Sequence, residues 1–111
     1  MLIAHFDTSI DERIFSLHIS GHANTDEVGK DLVCASASIL AYTIARDVEI
    51  NEEIGVLDDV EIRLEPGDTL IKCHCLSEKA YAYMRRAFWV ISNGFLLLQE
   101  DYPENVKAIV W

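Results

Sequence analysis

The chain has 111 residues, half of them hydrophobic, and 19 acidic against 9 basic side chains give it a formal net charge of −10. That length suits one domain, residues 1–111, with a single core, while so acidic a surface disfavours direct binding to nucleic acid phosphates. The first residues lack a basic segment ahead of an apolar run, so no signal peptide is expected. The longest apolar-leaning run, Leu32 to Ala45, falls short of the ~20 residues that cross a bilayer. Three cysteines, an odd number with two of them one residue apart, point to free thiols in a reducing, cytoplasmic setting.

Leu2 to Phe6 reads as a strand with Leu2, Ala4 and Phe6 on one face, and Asp7 to Glu12 as a polar turn. Ile14 to Ser20 then alternates, with Phe15, Leu17 and Ile19 one way and Ser16, His18 and Ser20 the other. The two should pair as an antiparallel hairpin that delivers the chain to Gly21 and His22. A polar loop, Asn24 to Lys30, follows, with Gly29 as its expected hinge and a lid-like closure over substrate as its expected behaviour. The first helix is expected from Asp31 to about Ile50. Val33, Ala37, Leu40, Ile44 and Val48 form one apolar stripe, and Leu32, Ile39 and Tyr42 form a second, so two of its sides should be covered.

Val56 to Glu65 alternates again, with Val60, Ile62 and Leu64 expected inward. Glu65-Pro66-Gly67-Asp68 is a turn, proline presetting its φ and glycine accepting φ > 0. The chain returns through Thr69 to Cys75, placing Ile71, Cys73 and Cys75 on one face. Ser77 caps a second helix, in which Tyr81, Met84, Phe88, Ile91, Phe95 and Leu98 recur at intervals of three and four. Trp89, Leu96 and Leu97 lie off that stripe and leave apolar surface for self-association. Tyr102-Pro103 ends the helix, and Val106 to Trp111 reads as a last strand. The order β-β-α-β-β-α-β makes an α+β fold, a two-layer sandwich of a largely antiparallel sheet with two helices.

Chemistry concentrates between Gly21 and Ala35, where one histidine and one cysteine stand on opposite lips of a loop. With Asp31 as N-cap, Cys34 would sit at the third helical position, among unpaired N–H groups and the positive helix end. Such a place favours thiolate, the nucleophilic form. The same residues also fit a bland reading, with Cys34 a small core hydrophobe and His22 a polar strand end. Asp31 either caps the helix or orients His22, and Ser38, one turn past Cys34, either packs or lines a pocket. Cys73-His74-Cys75 is a poor metal site, because on a strand His74 points away from both thiols and no second pair follows at zinc spacing. No G-x-S-x-G elbow supports a serine hydrolase.

Gly21-His22-Ala23, followed by Asp31-Leu32-Val33-Cys34-Ala35 with Ser38 one turn on, resembles the bacterial ribosomal-processing cysteine protease (Prp-like) family. The similarity runs to the closing Glu100-Asp101-Tyr102-Pro103-Glu104-Asn105-Val106-Lys107 and so covers nearly the whole chain. It implies a cytoplasmic endopeptidase without cofactor or metal, probing no membrane and acting as a homodimer. Cys34 would be its nucleophile, His22 its general base and acid, and Ser38 a lining residue of the substrate pocket. The implied partner is a large-subunit ribosomal protein precursor, whose short N-terminal extension is removed. The competing class is a non-catalytic ribosome-associated binding or assembly module that keeps the fold and the Cys–His pair.

Overall fold

Period-two burial in the strands decides the architecture. In the computed structural model, which describes residues 1–23 and 27–111 but not the side chains of 27–31, β1 (Leu2–Ser9) and β2 (Ile14–Ser20) pair antiparallel. Leu2, Ala4 and Phe6 of β1 and Phe15, Leu17 and Ile19 of β2 are buried, while His5 and His18 face outward. The first strand runs three residues past its expected end, because Asp7, Thr8 and Ser9 keep partners in Ser16, Phe15 and Ile14. Thr8 Oγ1 also donates to the Ile14 carbonyl at 2.8 Å, satisfying a hydroxyl at the hairpin's end.

Next come β3 (Leu57–Glu65), β4 (Asp68–Cys75) and, at the far end of the chain, β5 (Val106–Ile109). The sheet order is β3-β4-β2-β1-β5, antiparallel throughout except for the β1–β5 pair. A parallel neighbour needs a long connection, and the chain from β4 supplies it as helix α2 (Glu78–Asp101). The expected strand to Trp111 stops at Ile109; Trp111 instead packs its ring against Phe6 and Phe15, at centroid distances of 6.3 and 5.5 Å.

Helix α1 (Glu27–Glu53) and α2 lie on the sheet's buried face and share one core with it. Val33, Ala37, Ile44 and Val48 of α1 are buried, as are Met84, Phe88, Ile91 and Phe95 of α2. Phe15 stacks on Tyr81 and on Phe88, with centroids 4.6 and 5.2 Å apart, contacts worth about 0.5–1.5 kcal/mol each beyond their burial. The second stripe of α1 is not covered within the chain: Leu32, Ile39 and Tyr42 are all more than half exposed.

Two expectations need correction. Helix α1 starts four residues earlier than Asp31, so Asp31 is a helix-interior position and not its N-cap, and Gly29 is no loop hinge. Of the expected loop, 27–30 are helical, and 24–26 lie outside the described residues. A glycine inside a helix costs only about 1 kcal/mol, which a helix this long absorbs. The second correction is in β3, where register shifts between Asp58 and Glu61 and Asp59 takes φ +47°. Beyond that bulge, on a strand at the edge of the sheet, Val60 and Ile62 are only half-buried and Leu64 is exposed.

Ser77 caps α2 as its sequence suggests, its Oγ accepting from the Ala80 N–H at 3.0 Å from an extended backbone. Ser77→Ala should cost about 1 kcal/mol and lower Tm by roughly 4–8 °C in thermal unfolding. An unchanged Tm would show that the cap bond contributes nothing.

Candidate active site

The cleft forms where the end of β2 meets the β3–β4 turn. Gly21, at φ +78°, closes β2, and its N–H donates to the Gly67 carbonyl at 3.1 Å. A side chain at Gly21 would overlap the Met1 carbonyl, so only glycine lets β2 leave the sheet along this path. Gly67, at φ +75°, occupies the turn that joins β3 to β4. A Cβ placed there would come within 2.9 Å of His22 Nε2. The imidazole therefore lies directly on the turn, in space that a missing side chain leaves open.

Downstream of His22 the backbone is held a second time. Asn105 Nδ2 donates to the Ala23 carbonyl at 2.8 Å, and Ala23 is fully buried. His22 itself is exposed. From the other side of the cleft α1 presents Cys34, Ala37, Ser38, Ala41 and Tyr42. Small residues on this face let the helix approach closely. The result is a cavity of about 230 Å3 that both His22 and Cys34 line, with Ser38 between helix and turn and Leu2, Ile19 and Leu64 supplying apolar wall.

Cys34 is the eighth residue of α1. Backbone N–H groups that deep in a helix are bonded to carbonyls one turn back. The expected help from a helix N-terminus, both in favouring thiolate and in donating to an oxyanion, is therefore withdrawn. What remains is access. Cys34 is half-buried on the cavity wall, whereas Cys73 and Cys75 are 1% and 0% exposed on the core face of β4. The Cys73 thiol is pushed up by its hydrogen bond with Cys75 and by burial, so it is held in the neutral form. His74 faces the other way, its Nδ1 2.6 Å from Asp58 Oδ1, and cannot serve those thiols.

Among the described residues, the carboxylates of Glu65 and Asp68 also line the cavity. Asp68 is engaged: Arg63 Nε and Nη2 donate to its two oxygens at 3.0 and 3.2 Å, and His18 Nε2 lies 3.2 Å from Oδ1. The Arg63 and His18 hydrogen bonds hold its carboxyl below the usual carboxylate range. This cluster stiffens the β3–β4 turn beside His22. The Asp31 side chain lies outside the described residues, and its backbone sits three positions before Cys34 on α1. The sequence offered no sign of Gly67, Leu64 or Asn105 at the site; a Pro-Gly turn announces itself locally, but not what it will rest against.

The fold and this cleft define a small α+β protein with a solvent-reachable thiol and an imidazole on one cavity. The family model described as "Cysteine protease Prp" matches residues 1–107. The chain belongs to that family of cysteine proteases. Among solved structures, SMU.848 from Streptococcus mutans is 24% identical, with a TM-score of 0.70 over 99% of this chain and 93% of that one. The essential ribosomal processing protease Prp from S. aureus is similar in two complexes. One holds a covalently linked product peptide (17% identity) and the other a substrate peptide (16%), each with TM-score 0.70 over the whole of both chains. At these identities the likeness is one of fold. No curated protein sequence matches the chain.

Two outcomes are expected from the site. In native protein an alkylating reagent should modify one thiol of three, Cys34, and none in Cys34→Ala, as read by intact mass; rapid modification of two or three would show that β4 opens readily. Because the Asp68 carboxyl is held low, its share of stability is present above the ordinary carboxylate range and is lost as pH falls through and below it. Asp68→Asn should therefore flatten the fall of Tm below about pH 4, and parallel curves for variant and wild type would count against the Arg63–Asp68–His18 cluster.

Proposed function

We propose that the chain is a cytoplasmic cysteine endopeptidase that removes a short N-terminal extension from a large-subunit ribosomal protein, with Cys34 as nucleophile and His22 as general base and acid. One observation carries the reading: of three cysteines in a cysteine protease chain, the accessible one shares a cavity with His22, the only histidine among the described residues on that cavity's wall. The S. aureus relative, seen with a substrate peptide and with a covalently linked product peptide, supports the same substrate class.

In this mechanism the Cys34 sulfur attacks the scissile carbonyl carbon as its proton passes to His22. The C–S bond forms and the carbonyl π pair moves to oxygen. Collapse expels the amine, which takes its proton from His22. Water then attacks the thioester with His22 as base, the C–S bond breaks, and the new carboxyl end departs. Ser38, exposed on the cavity wall one turn from Cys34, binds substrate through its hydroxyl. Asp31 orients His22 in this reading, so Asp31→Asn should slow cleavage without abolishing it. No step calls for a metal or cofactor.

Partner and assembly follow from charge and exposure. A chain of net charge −10 meets a basic ribosomal protein favourably and nucleic acid unfavourably. Leu32, Ile39 and Leu97 are each more than half exposed, and with Trp89 they offer an apolar surface that a homodimer would cover. Among the described residues no helix is long and apolar enough to cross a membrane.

The test incubates the chain with the ribosomal protein precursor of its own organism and reads intact mass. A single new N-terminus should form, vanish with Cys34→Ala and slow by about 10²–10⁴-fold with His22→Ala. A precursor that carries an extension yet stays whole would sink the protease reading and leave the non-catalytic assembly module. Cleavage that survives Cys34→Ala would instead refute Cys34 as the nucleophile.

A further inference from the structure

We propose that Asn105 is the positioning residue for His22, fixing the backbone that carries the imidazole rather than touching the ring. The inference rests on the reading of His22 as the site's base. His22 lies past the end of β2, in a stretch with no ladder partners of its own. Such a stretch is free to pivot unless something holds it on both sides. Upstream the hold is the Gly21 N–H on the Gly67 carbonyl, at 3.1 Å. Downstream it is the Asn105 side-chain amide on the Ala23 carbonyl, at 2.8 Å. The histidine is thus the middle residue between two tethers, each one position away.

Asn105 is able to act as an anchor because it is anchored itself. Its N–H donates to the Tyr102 carbonyl at 3.0 Å, and its own carbonyl accepts from the Leu2 N–H at 2.9 Å. One residue therefore joins the end of α2, the start of β1 and the exit of β2. Those three segments are far apart in sequence, 82 positions separating Asn105 from Ala23. The geometry explains why the amide is needed there. Ala23 is fully buried, so its carbonyl cannot turn to water if the donor is lost. The Ala23 backbone would have to shift to find another partner, and His22, its immediate neighbour in the chain, would shift with it. A base displaced by about 1 Å loses on the order of 10²-fold in rate. Binding contacts elsewhere in the cleft, on α1 and the β3–β4 turn, would be left in place.

Asn105→Asp keeps the shape but replaces the donor with an acceptor facing the Ala23 carbonyl. Asn105→Gln keeps an amide donor on a longer stem. Both are followed by the imidazole C–H signals of the four histidines in NMR across pH and by precursor cleavage. The Asp variant should shift the His22 signals while those of His5, His18 and His74 stay put. Its kcat should fall by about 10-fold or more with KM nearly unchanged, and the acid side of its pH profile should move. The Gln variant should recover part of both effects. Unmoved His22 signals, or a shift shared equally by all four histidines, would overturn the proposal. An Asp variant too unstable to fold moves the reading to Asn105→Ala, which removes the donor, and wild-type His22 signals there, with rates lost only in step with unfolding, also overturn it. The NMR arm needs no activity, so a chain that never cleaves refutes the protease reading and still decides where Asn105 holds His22.

Discussion

The cleft depends on one close approach, the backbone of Gly21 against the backbone of Gly67. Both residues take positive φ, and each would meet an obstacle if it carried a Cβ, Gly21 the Met1 carbonyl and Gly67 the His22 ring. Glycine costs conformational entropy on folding, and here that cost secures two things at once. The first lets β2 turn out of the sheet beside the N-terminus. The second clears a bed for an imidazole on the β3–β4 turn. Remove either and His22 no longer faces the wall of α1 that bears Cys34.

The same geometry sorts the cysteines. Period two on β4 sends Cys73 and Cys75 into the core, where burial and their mutual hydrogen bond keep Cys73 neutral. It sends His74 outward to Asp58. A Cys-His-Cys run that looks reactive in one dimension is thus split by the strand into two unrelated faces. Cys34 differs because a helix positions it. At its place on α1 it is half-buried on the cavity wall, beside the small side chains of Ala37, Ser38 and Ala41.

Much of this was legible from residue patterns because the signals are local. Alternation in Phe15, Leu17 and Ile19, the three-and-four spacing of α2 and the Ser77 cap each depend on a few neighbouring residues, and each is found as read. His22, Cys34 and Ser38 could be named from one short stretch, and they do line one cavity. The failures have a common cause. Asp31 looked like a cap because its side chain suits one, yet the chain was already helical from Glu27. Leu64 looked like core because it alternates, but it lies on an edge strand and lines the cleft instead. Asn105 and Gly67 reach the site through sheet register and chain reversal, which no local pattern encodes.

The central claim is that Cys34 and His22 work as a pair. The most direct test measures the rate of Cys34 alkylation by iodoacetamide from pH 5 to 9, in wild type and in His22→Ala. It needs no substrate. If the imidazole assists the thiol, the variant should react at least about tenfold more slowly near neutral pH and follow a different pH profile. Superimposable profiles would contradict the account, leaving Cys34 an accessible helix cysteine that happens to face a histidine.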